Sequence, residues 1–319
     1  MNELYAQLCR YDTQAWRKAV ETLAAEIHPI DRNATRIWFA FYPLDLFLAL
    51  EASSEDPAAT ARKLGLMGNW RLSEQIDTSH RFLYAHRYWP QVKSAVQHAP
   101  APWPDDLAAL VSAIAESAAR TARVDREFLL GIGAVALMTL RQAGPDAFAA
   151  APGKIHLSER ARALSPHQVM TQRTRDDWQG VFGFLRGLKK QWTVRFDEGD
   201  PDAAFTLIDG QEIATAAQTD TRDYHSRDPR CTPNEGPIPV ECRAASCGTC
   251  WVGVIAGAEK LSPVVDRDER RRMKVFGYLD SPEEQPLIRL ACQARAHGAV
   301  TIVIPPWNGV FASCYRREV

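Results

Sequence analysis

The chain has 319 residues, with 38 Lys and Arg against 39 Asp and Glu, so its formal net charge is -1 at pH 7. This length predicts two domains, each able to bury a core, and the charge balance gives no overall basic field for a nucleic-acid partner. The first residues lack the basic segment and small-residue cleavage site of a secretory signal, so we expect a reducing, cytoplasmic location.

Helical patterns dominate the first half of the chain. Apolar residues from Trp16 to Ile27 recur at helix spacing before Pro29, and Asp56-Pro57 has the form of an N-cap followed by a first-turn proline. A further helix is predicted to start at Pro104. No strand-like alternation occurs in this half, so we expect an all-α domain.

Two apolar stretches, Ile37 to Leu50 and Phe128 to Leu140, stand out in the helical half. Both are shorter than the roughly 20 residues of a membrane-spanning helix, so no transmembrane segment is expected. We interpret them as buried core helices, with contact to a membrane-associated redox complex as the alternative.

The helical half contains no recognisable catalytic motif. His80 and His86 flank an aromatic segment, but their spacing is neither i,i+3 nor i,i+4, which favours a structural role over ligation of a second cofactor such as haem. Gly131 and Gly133 lack the strand and third glycine of a dinucleotide-binding fingerprint and indicate close helix packing. No catalytic residue is therefore predicted.

Near residue 190 the sequence pattern changes from one typical of helices to one typical of strands. Four short β-branched or aromatic runs follow, bounded by Gly, Pro and Asp, which predict the strands Trp192 to Phe196, Ala204 to Ile208, Cys250 to Ile255 and Thr301 to Ile304. One charged helix is expected between Glu259 and Leu279. Residues 154–195 are basic and residues 196–241 acidic, which indicates solvated faces or surfaces for a partner.

Four of the seven cysteines form one pattern. Cys242, Cys247 and Cys250 have the spacing C-x4-C-x2-C, and Cys292 follows ahead of the last predicted strand. Three thiolates on one loop and a fourth at a distance is the spacing of plant-type 2Fe-2S centres. Such a loop must wrap closely and direct backbone N–H groups at the sulfurs, and Gly248 allows this because it has no Cβ.

Residues from about 191 to 310 resemble a plant-type 2Fe-2S ferredoxin domain of the β-grasp fold. The resemblance rests on the cysteine pattern, Arg243, the strand Trp251 to Ile255, Glu269, and the run RLACQ leading to Val303-Ile304-Pro305. It implies a 2Fe-2S cluster as the cofactor, with four iron ligands, namely Cys242, Cys247, Cys250 and Cys292.

The sequence departs from the family pattern at two places. Members usually carry glycine where Ala245 stands, so the backbone there is either less left-handed than usual or mildly strained. The segment from Ala216 to Val240 is longer and more polar than expected, which indicates an irregular loop in place of a short helix. Its position beside the cysteines makes it a candidate for partner contact.

Other uses of the cysteines are less favoured. Structural zinc would need a second paired unit, Rieske ligation would need two histidines, for which only His225 and His297 are near, and disulfides would need an oxidising compartment. Outside the quartet, Cys9 is expected to be a small buried residue and Cys231 a plain thiol, with redox sensitivity or substitute ligation as the alternative for Cys231. Cys314 lies in a tail that could dock on the helical half or on a partner.

The predicted organisation is an α+β multidomain chain. It comprises an all-α domain of unknown family (1–153), a basic, mostly helical connector (154–190), a ferredoxin-like β-grasp domain (191–310) and a C-terminal tail (311–319).

The resemblance implies one-electron transfer, because a 2Fe-2S cluster passes single electrons and no flavin or nicotinamide module is visible. Protein donors and acceptors must then supply and remove the electrons. We expect an electron-transfer protein or subunit without a catalytic site, in which the helical domain docks the carrier onto a larger redox complex. Two alternatives stay open: an electron-entry subunit of a multisubunit oxidoreductase, and a redox-sensing regulatory protein.

Overall fold

The computed structural model describes residues 1–52, 56–176, 190–200, 202–264, 267–278 and 285–312, without the side chains of 267 and 268. The chain divides into two compact units, formed by Met1–Leu48 with Arg71–Pro166 and by Ala49–Trp70 with His167–Val319. The first is helical and the second contains a mixed sheet, so the predicted α+β class is confirmed. Residues 177–189, part of the predicted connector, and the tail beyond 312 lie outside the described residues.

The first unit and the segments around it are built from helices. In chain order these are α1 (Asn2–Leu8), α2 (Thr13–Leu23), α3 (Pro29–Phe41), α4 (Leu44–Glu51), α5 (Pro57–Lys63), α6 (Trp89–Gln97), α7 (Leu107–Ala122), α8 (Glu127–Ala143), α9 (Pro145–Ala150), α10 (Glu159–Ala163) and α11 (Pro166–Thr174). Of these, α5 belongs to the second unit, as do α11 from His167 onward and the last three residues of α4.

The core of the first unit is α8, which is buried on all sides from Leu129 to Arg141. A Cβ at Gly131 would lie 2.2 Å from Thr35 Oγ1, so glycine allows α8 to approach α3 closely, as the sequence predicted. The apolar stretch from Phe128 to Leu140 is thus part of a core helix, whereas the stretch from Ile37 to Leu50 is divided between α3 and α4. None of the helices in the described part of the chain combines the length and apolar character that a bilayer span requires.

Helix capping agrees with the sequence at one site and differs at another. The Asp56 carboxylate accepts a hydrogen bond from Ala58 N (2.8 Å), so the predicted cap of α5 is confirmed. The predicted start at Pro104 is wrong by three residues, because the Asp106 side chain caps α7 by accepting from Ala109 N (2.8 Å). The N-cap is therefore Asp106, two residues after Pro104, because its side chain accepts a hydrogen bond from a backbone N–H group of the first turn.

His80 and His86 are fully buried and in contact, although they do not share a helix. Their Nδ1 atoms lie 3.0 Å apart, and the His156 backbone N–H donates to His86 Nε2 (2.9 Å). Because Nε2 accepts, neutral His86 carries its proton on Nδ1 and donates it to His80. Burial, together with His156, lowers the pKa of His86 to about 4, so the pair stays neutral near pH 7.

The second unit contains a five-stranded mixed sheet of order β3-β2-β6-β4-β5. The strands of this sheet are β2 (Gln191–Arg195), β3 (Ala204–Ile208), β4 (Trp251–Ala256), β5 (Ile288–Leu290) and β6 (Val300–Val303). The unit also contains the helices α12 (Ile213–Ala217) and α13 (Arg267–Phe276). Among these described strands, β2 pairs with β6 in parallel, and the other neighbouring strands pair antiparallel. The four predicted strands agree with the structure to within one residue at each end, and β5 adds a fifth.

A separate two-stranded sheet ties a segment from the first half of the chain to the second unit. It pairs β1 (Met67–Gly68) with β7 (Trp307–Asn308). Val310 N also donates to Leu64 O (2.7 Å), and Asn69 N donates to Pro306 O (2.8 Å). The expectation of no strand in the first half is therefore wrong, because a two-residue strand is too short to show alternation.

Trp307 anchors this attachment in the core of the second unit. Its ring is fully buried and lies 5.2 Å from the Trp251 ring and 5.4 Å from the Phe311 ring. The Trp251 indole N–H donates to the Trp307 carbonyl (3.2 Å). The residues after β6 therefore complete the hydrophobic core behind β4.

We predict that Trp307→Ala lowers the free energy of unfolding of the second unit by about 3–5 kcal/mol, because it empties a packed site. Val310→Ala is the control and costs less than about 1 kcal/mol, since Val310 is 41% exposed. Denaturant midpoints of the purified protein measure both. Equal losses for the two variants would contradict a core role for Trp307.

Candidate metal centre

Strand pairing brings the distant cysteine to the cysteine loop. Cys250 directly precedes β4 and Cys292 follows β5, and the antiparallel register pairs Trp251 with Leu290. Ala291 N donates to Cys250 O (2.9 Å) and extends this pairing beyond the strands. The two cysteines therefore lie at the same end of neighbouring strands.

The four thiols form two pairs. The side chains of Cys242 and Cys247 are hydrogen-bonded to each other, and so are those of Cys250 and Cys292. The first pair is partly exposed and the second is buried. Among the residues described, no three His, Cys, Asp or Glu side chains are grouped so that they could hold a single metal ion.

Several donors point at the sulfur atoms, as expected for a loop that wraps closely around them. The backbone N–H groups of Ala244 and Ser246 donate to Cys242 Sγ at 3.4 and 3.2 Å. At the buried pair, Gln293 Nε2 lies 3.5 Å from Cys292 Sγ. Such donors stabilise negative charge on sulfur, which is the form that binds metal.

One thiol of each pair is acidified. Burial acts to raise the pKa of Cys242, but hydrogen bonds from Ser246, Ala244 and Cys247 outweigh it and lower the pKa to about 7. The hydrogen bond from Cys250 is the main cause that lowers the pKa of Cys292 to about 6. The same bond raises the pKa of Cys250. Each pair thus contains one sulfur that readily becomes a thiolate.

Gly248 is required where it stands, between the second and third cysteines. Its φ is +75°, and a Cβ there would lie 2.8 Å from the Phe276 ring at the end of α13. The Tyr278 hydroxyl lies 2.8 Å from the Gly248 carbonyl oxygen, and its ring stacks on Trp251 with centroids 4.0 Å apart. The aromatic residues Phe276 and Tyr278 therefore pack against the cysteine loop and fix its position.

Ala245 adopts the left-handed conformation that the family normally reserves for glycine. Its φ is +55°, as is that of Arg243, so the second of the two expected alternatives, mild strain, is the one observed. The strained alanine is buried, and its neighbour Ser246 donates to Cys242 Sγ. The loop therefore wraps around the sulfur atoms although the backbone at Ala245 is strained.

A buried ion pair supports the strand that leads to Cys292. Arg289 donates to both carboxylate oxygens of Glu269 at 3.0 Å, and both side chains are at most 4% exposed. The same carboxylate accepts from Leu290 N (2.9 Å). Glu269 in α13 thus fixes the backbone two residues before Cys292, a contact that required the folded structure to identify.

The long polar segment before the first cysteine is ordered by two arginines. After α12, residues 218–240 form turns without a helix or strand. Arg222 donates to the carbonyls of Asp202 (2.5 Å) and Ala204 (3.0 Å), and Arg230 donates to that of Pro305 (2.8 Å). These charge-assisted bonds replace the regular backbone pairing that the segment lacks.

The cysteines outside the quartet have different surroundings. Cys231 is buried, donates to Pro237 O (3.3 Å) and has its pKa raised to about 12, chiefly by burial, which suits a plain thiol. Cys9 is exposed, so the expectation that it is buried is wrong, because it follows the last residue of α1. Cys314 lies outside the described residues.

Residues 230–297 match the family model of the 2Fe-2S iron-sulfur cluster binding domain. This stretch contains all four cysteines of the quartet. No curated protein and no solved structure gives a significant match to the chain. The C-terminal part of this protein is therefore a ferredoxin-like domain that binds a 2Fe-2S cluster and supports an electron-carrier role, which implies redox partner proteins.

The residues present fit this group. A 2Fe-2S cluster takes four thiolates, and the fold supplies four thiols as two pairs, with N–H donors on Cys242 Sγ and a glycine where the loop turns tightly. Cys242 and Cys247 are partly exposed, whereas Cys250 and Cys292 are buried. One side of the cluster would therefore lie nearer to solvent than the other.

We predict that Ala245→Gly raises the free energy of unfolding by up to about 1 kcal/mol, because glycine relieves the strain of a positive φ. Ala244→Gly is the matched control and lowers it by about 0.5–1 kcal/mol, since φ at Ala244 is not positive. Denaturation of the loaded protein compares the two variants. Equal destabilisation by both would show that the backbone at Ala245 is unstrained.

We predict that Glu269→Ala destabilises the protein by about 3–5 kcal/mol, because it leaves the Arg289 charge buried without a partner. Glu235→Ala removes a comparable but exposed ion pair with Arg243 (3.1 Å) and costs less than about 1 kcal/mol. Thermal denaturation and iron content are the measurements. Unchanged iron content and stability in Glu269→Ala would contradict the supporting role.

Proposed function

We propose that this protein is a one-electron carrier whose ferredoxin-like domain holds a single 2Fe-2S cluster on Cys242, Cys247, Cys250 and Cys292. The observation that carries the proposal is the pairing of the thiols. Cys242 is paired with Cys247, and Cys250 is paired with Cys292. In a 2Fe-2S cluster with four cysteine ligands, each iron takes two of them, so two pairs of thiols match two irons.

The four cysteines would hold the cluster, which would supply one-electron chemistry. The N–H groups of Ala244 and Ser246 would offset the negative charge on Cys242 Sγ, which increases when the electron is added. Cys250 and Cys292 lie in the protein interior, whereas Cys242 and Cys247 are partly exposed. Electrons therefore enter and leave at the Cys242–Cys247 side, beside the exposed residues Ala244 and Ser246.

The helical domain serves, in our proposal, to dock the carrier onto a larger redox complex. Its sequence contains no flavin, nicotinamide or catalytic motif, so a binding role agrees best with the residues present. A permanent electron-entry subunit would be isolated together with other chains. A redox sensor would change its affinity for a partner on reduction and transfer electrons at a negligible rate.

We predict that the protein, purified without oxygen, contains about two irons and two sulfides per chain and gives a spin-half EPR signal only after reduction with dithionite. Cys247→Ser abolishes or alters the visible spectrum and the signal, because it replaces a ligand.

Cys231→Ser is the matched control for this experiment. Its hydroxyl can still donate to Pro237 O, and the residue is not one of the four proposed ligands, so the spectrum stays that of the parent protein. An unchanged spectrum in Cys247→Ser, or zinc in place of iron, would refute the assignment.

A further inference from the structure

Thr249 lies between the second and third cysteines of the quartet, and its hydroxyl has two polar neighbours. The backbone N–H of Glu241 donates to Thr249 Oγ1 (3.2 Å), and Oγ1 lies 3.1 Å from Cys247 Sγ. Thr249 is only 5% exposed. Its hydroxyl therefore joins the start of the cysteine loop to the sulfur of the second cysteine, at a place shielded from water.

The direction of the contact between Thr249 and Cys247 follows from the positions of the protons. In the metal-free protein the Cys247 thiol donates its proton to Cys242, which leaves the Cys247 sulfur as an acceptor. A cysteine sulfur that binds a metal is a thiolate and can only accept. In both states, Thr249 Oγ1 accepts from Glu241 N and donates its single proton to Cys247 Sγ.

The backbone on both sides of Thr249 is fixed by hydrogen bonds. Before it, the Gly248 carbonyl accepts from the Tyr278 hydroxyl (2.8 Å). After it, the Cys250 carbonyl accepts from Ala291 N (2.9 Å). A donor held in place at a buried site does not have to reorient when the charge on a sulfur increases, and burial strengthens its interaction with that charge.

The donor at Cys247 differs in kind from the backbone donors at Cys242. The N–H groups of Ala244 and Ser246 that donate to Cys242 Sγ belong to the main chain, so ordinary substitutions leave them in place. The donor at Cys247 Sγ is a side-chain hydroxyl. The residue type at position 249 therefore decides whether this hydrogen bond exists.

We propose that Thr249 is a positioning residue that raises the reduction potential of the protein by donating a hydrogen bond to Cys247 Sγ. This inference rests on the proposed cluster on the four cysteines. Hydrogen bonds to the sulfur atoms are among the factors that set the potential of an iron-sulfur centre. Because an added electron increases the negative charge on sulfur, the Thr249 hydroxyl stabilises the reduced state more than the oxidised state.

The test compares reduction potentials of the full, cluster-loaded chain, measured by anaerobic titration with EPR detection. Thr249→Val keeps the shape of the side chain and removes the hydroxyl. At a fixed potential we expect this variant to lower the ratio of reduced to oxidised protein by about three- to tenfold, which corresponds to a potential lower by about 30–60 mV for one electron. Thr249→Ser keeps the donor, so its ratio stays within about 1.5-fold of the parent ratio.

Thr301→Val is the matched control. The Thr301 hydroxyl is also buried in the second unit, and it donates to the Arg173 carbonyl (3.0 Å). The substitution removes a buried hydrogen bond whose acceptor is a carbonyl instead of a sulfur, so it lowers stability and leaves the ratio of reduced to oxidised protein within about 1.5-fold of the parent. Denaturation of both valine variants separates a loss of stability from a change in potential.

An unchanged or higher potential in Thr249→Val at full iron content would overturn the inference. Equal shifts in Thr249→Val and Thr301→Val, or in Thr249→Val and Thr249→Ser, would do the same. If Thr249→Val and a second variant, Thr249→Ala, both lack iron while Thr301→Val contains it, the role of Thr249 lies in folding of the loop and the inference is wrong. A parent protein without iron and sulfide is instead the failure of the proposed function.

Discussion

The antiparallel pairing of β4 with β5 is the constraint on which the metal centre depends. Cys250 precedes one strand and Cys292 follows the other, and the pairing of Trp251 with Leu290 places both thiols at the same end of the sheet. A shift of the register by one residue would reverse the face that each side chain occupies. The register therefore determines whether four cysteines separated along the chain can serve one cluster.

The elements around this strand pair maintain its register. From α13, Glu269 binds the β5 backbone and the Arg289 side chain, while Phe276 packs against the loop that carries the other three cysteines. Behind β4, Trp251 is packed between Tyr278 and Trp307. The buried ion pair and the aromatic core together leave the cysteine loop little freedom, which explains how a left-handed alanine at position 245 is tolerated.

The centre is asymmetric in its exposure and in its electrostatic surroundings. Cys250 and Cys292 are buried, whereas Cys242 and Cys247 border the exposed residues of the loop. The segment that precedes the loop in the chain, residues 196–241, is acidic in sequence. Salt bridges such as Arg222 with Asp220 and Arg230 with Asp228 neutralise part of that acidic segment internally, so sequence charge alone does not show which surface a partner meets.

The sequence by itself determined the features that depend on near neighbours along the chain. These include the cysteine spacing and hence the cluster type, four of the strands, the Asp56 cap and the close packing of Gly131, since spacing, capping and periodicity are local properties. The tertiary structure alone decided that α7 starts after Asp106, that Cys9 is exposed, that His80 contacts His86 and that β1 pairs with β7. It also revealed the contact between Glu269 and Leu290. Each of these depends on competition between caps, on burial or on pairing between residues distant in the chain, which only the folded protein brings together.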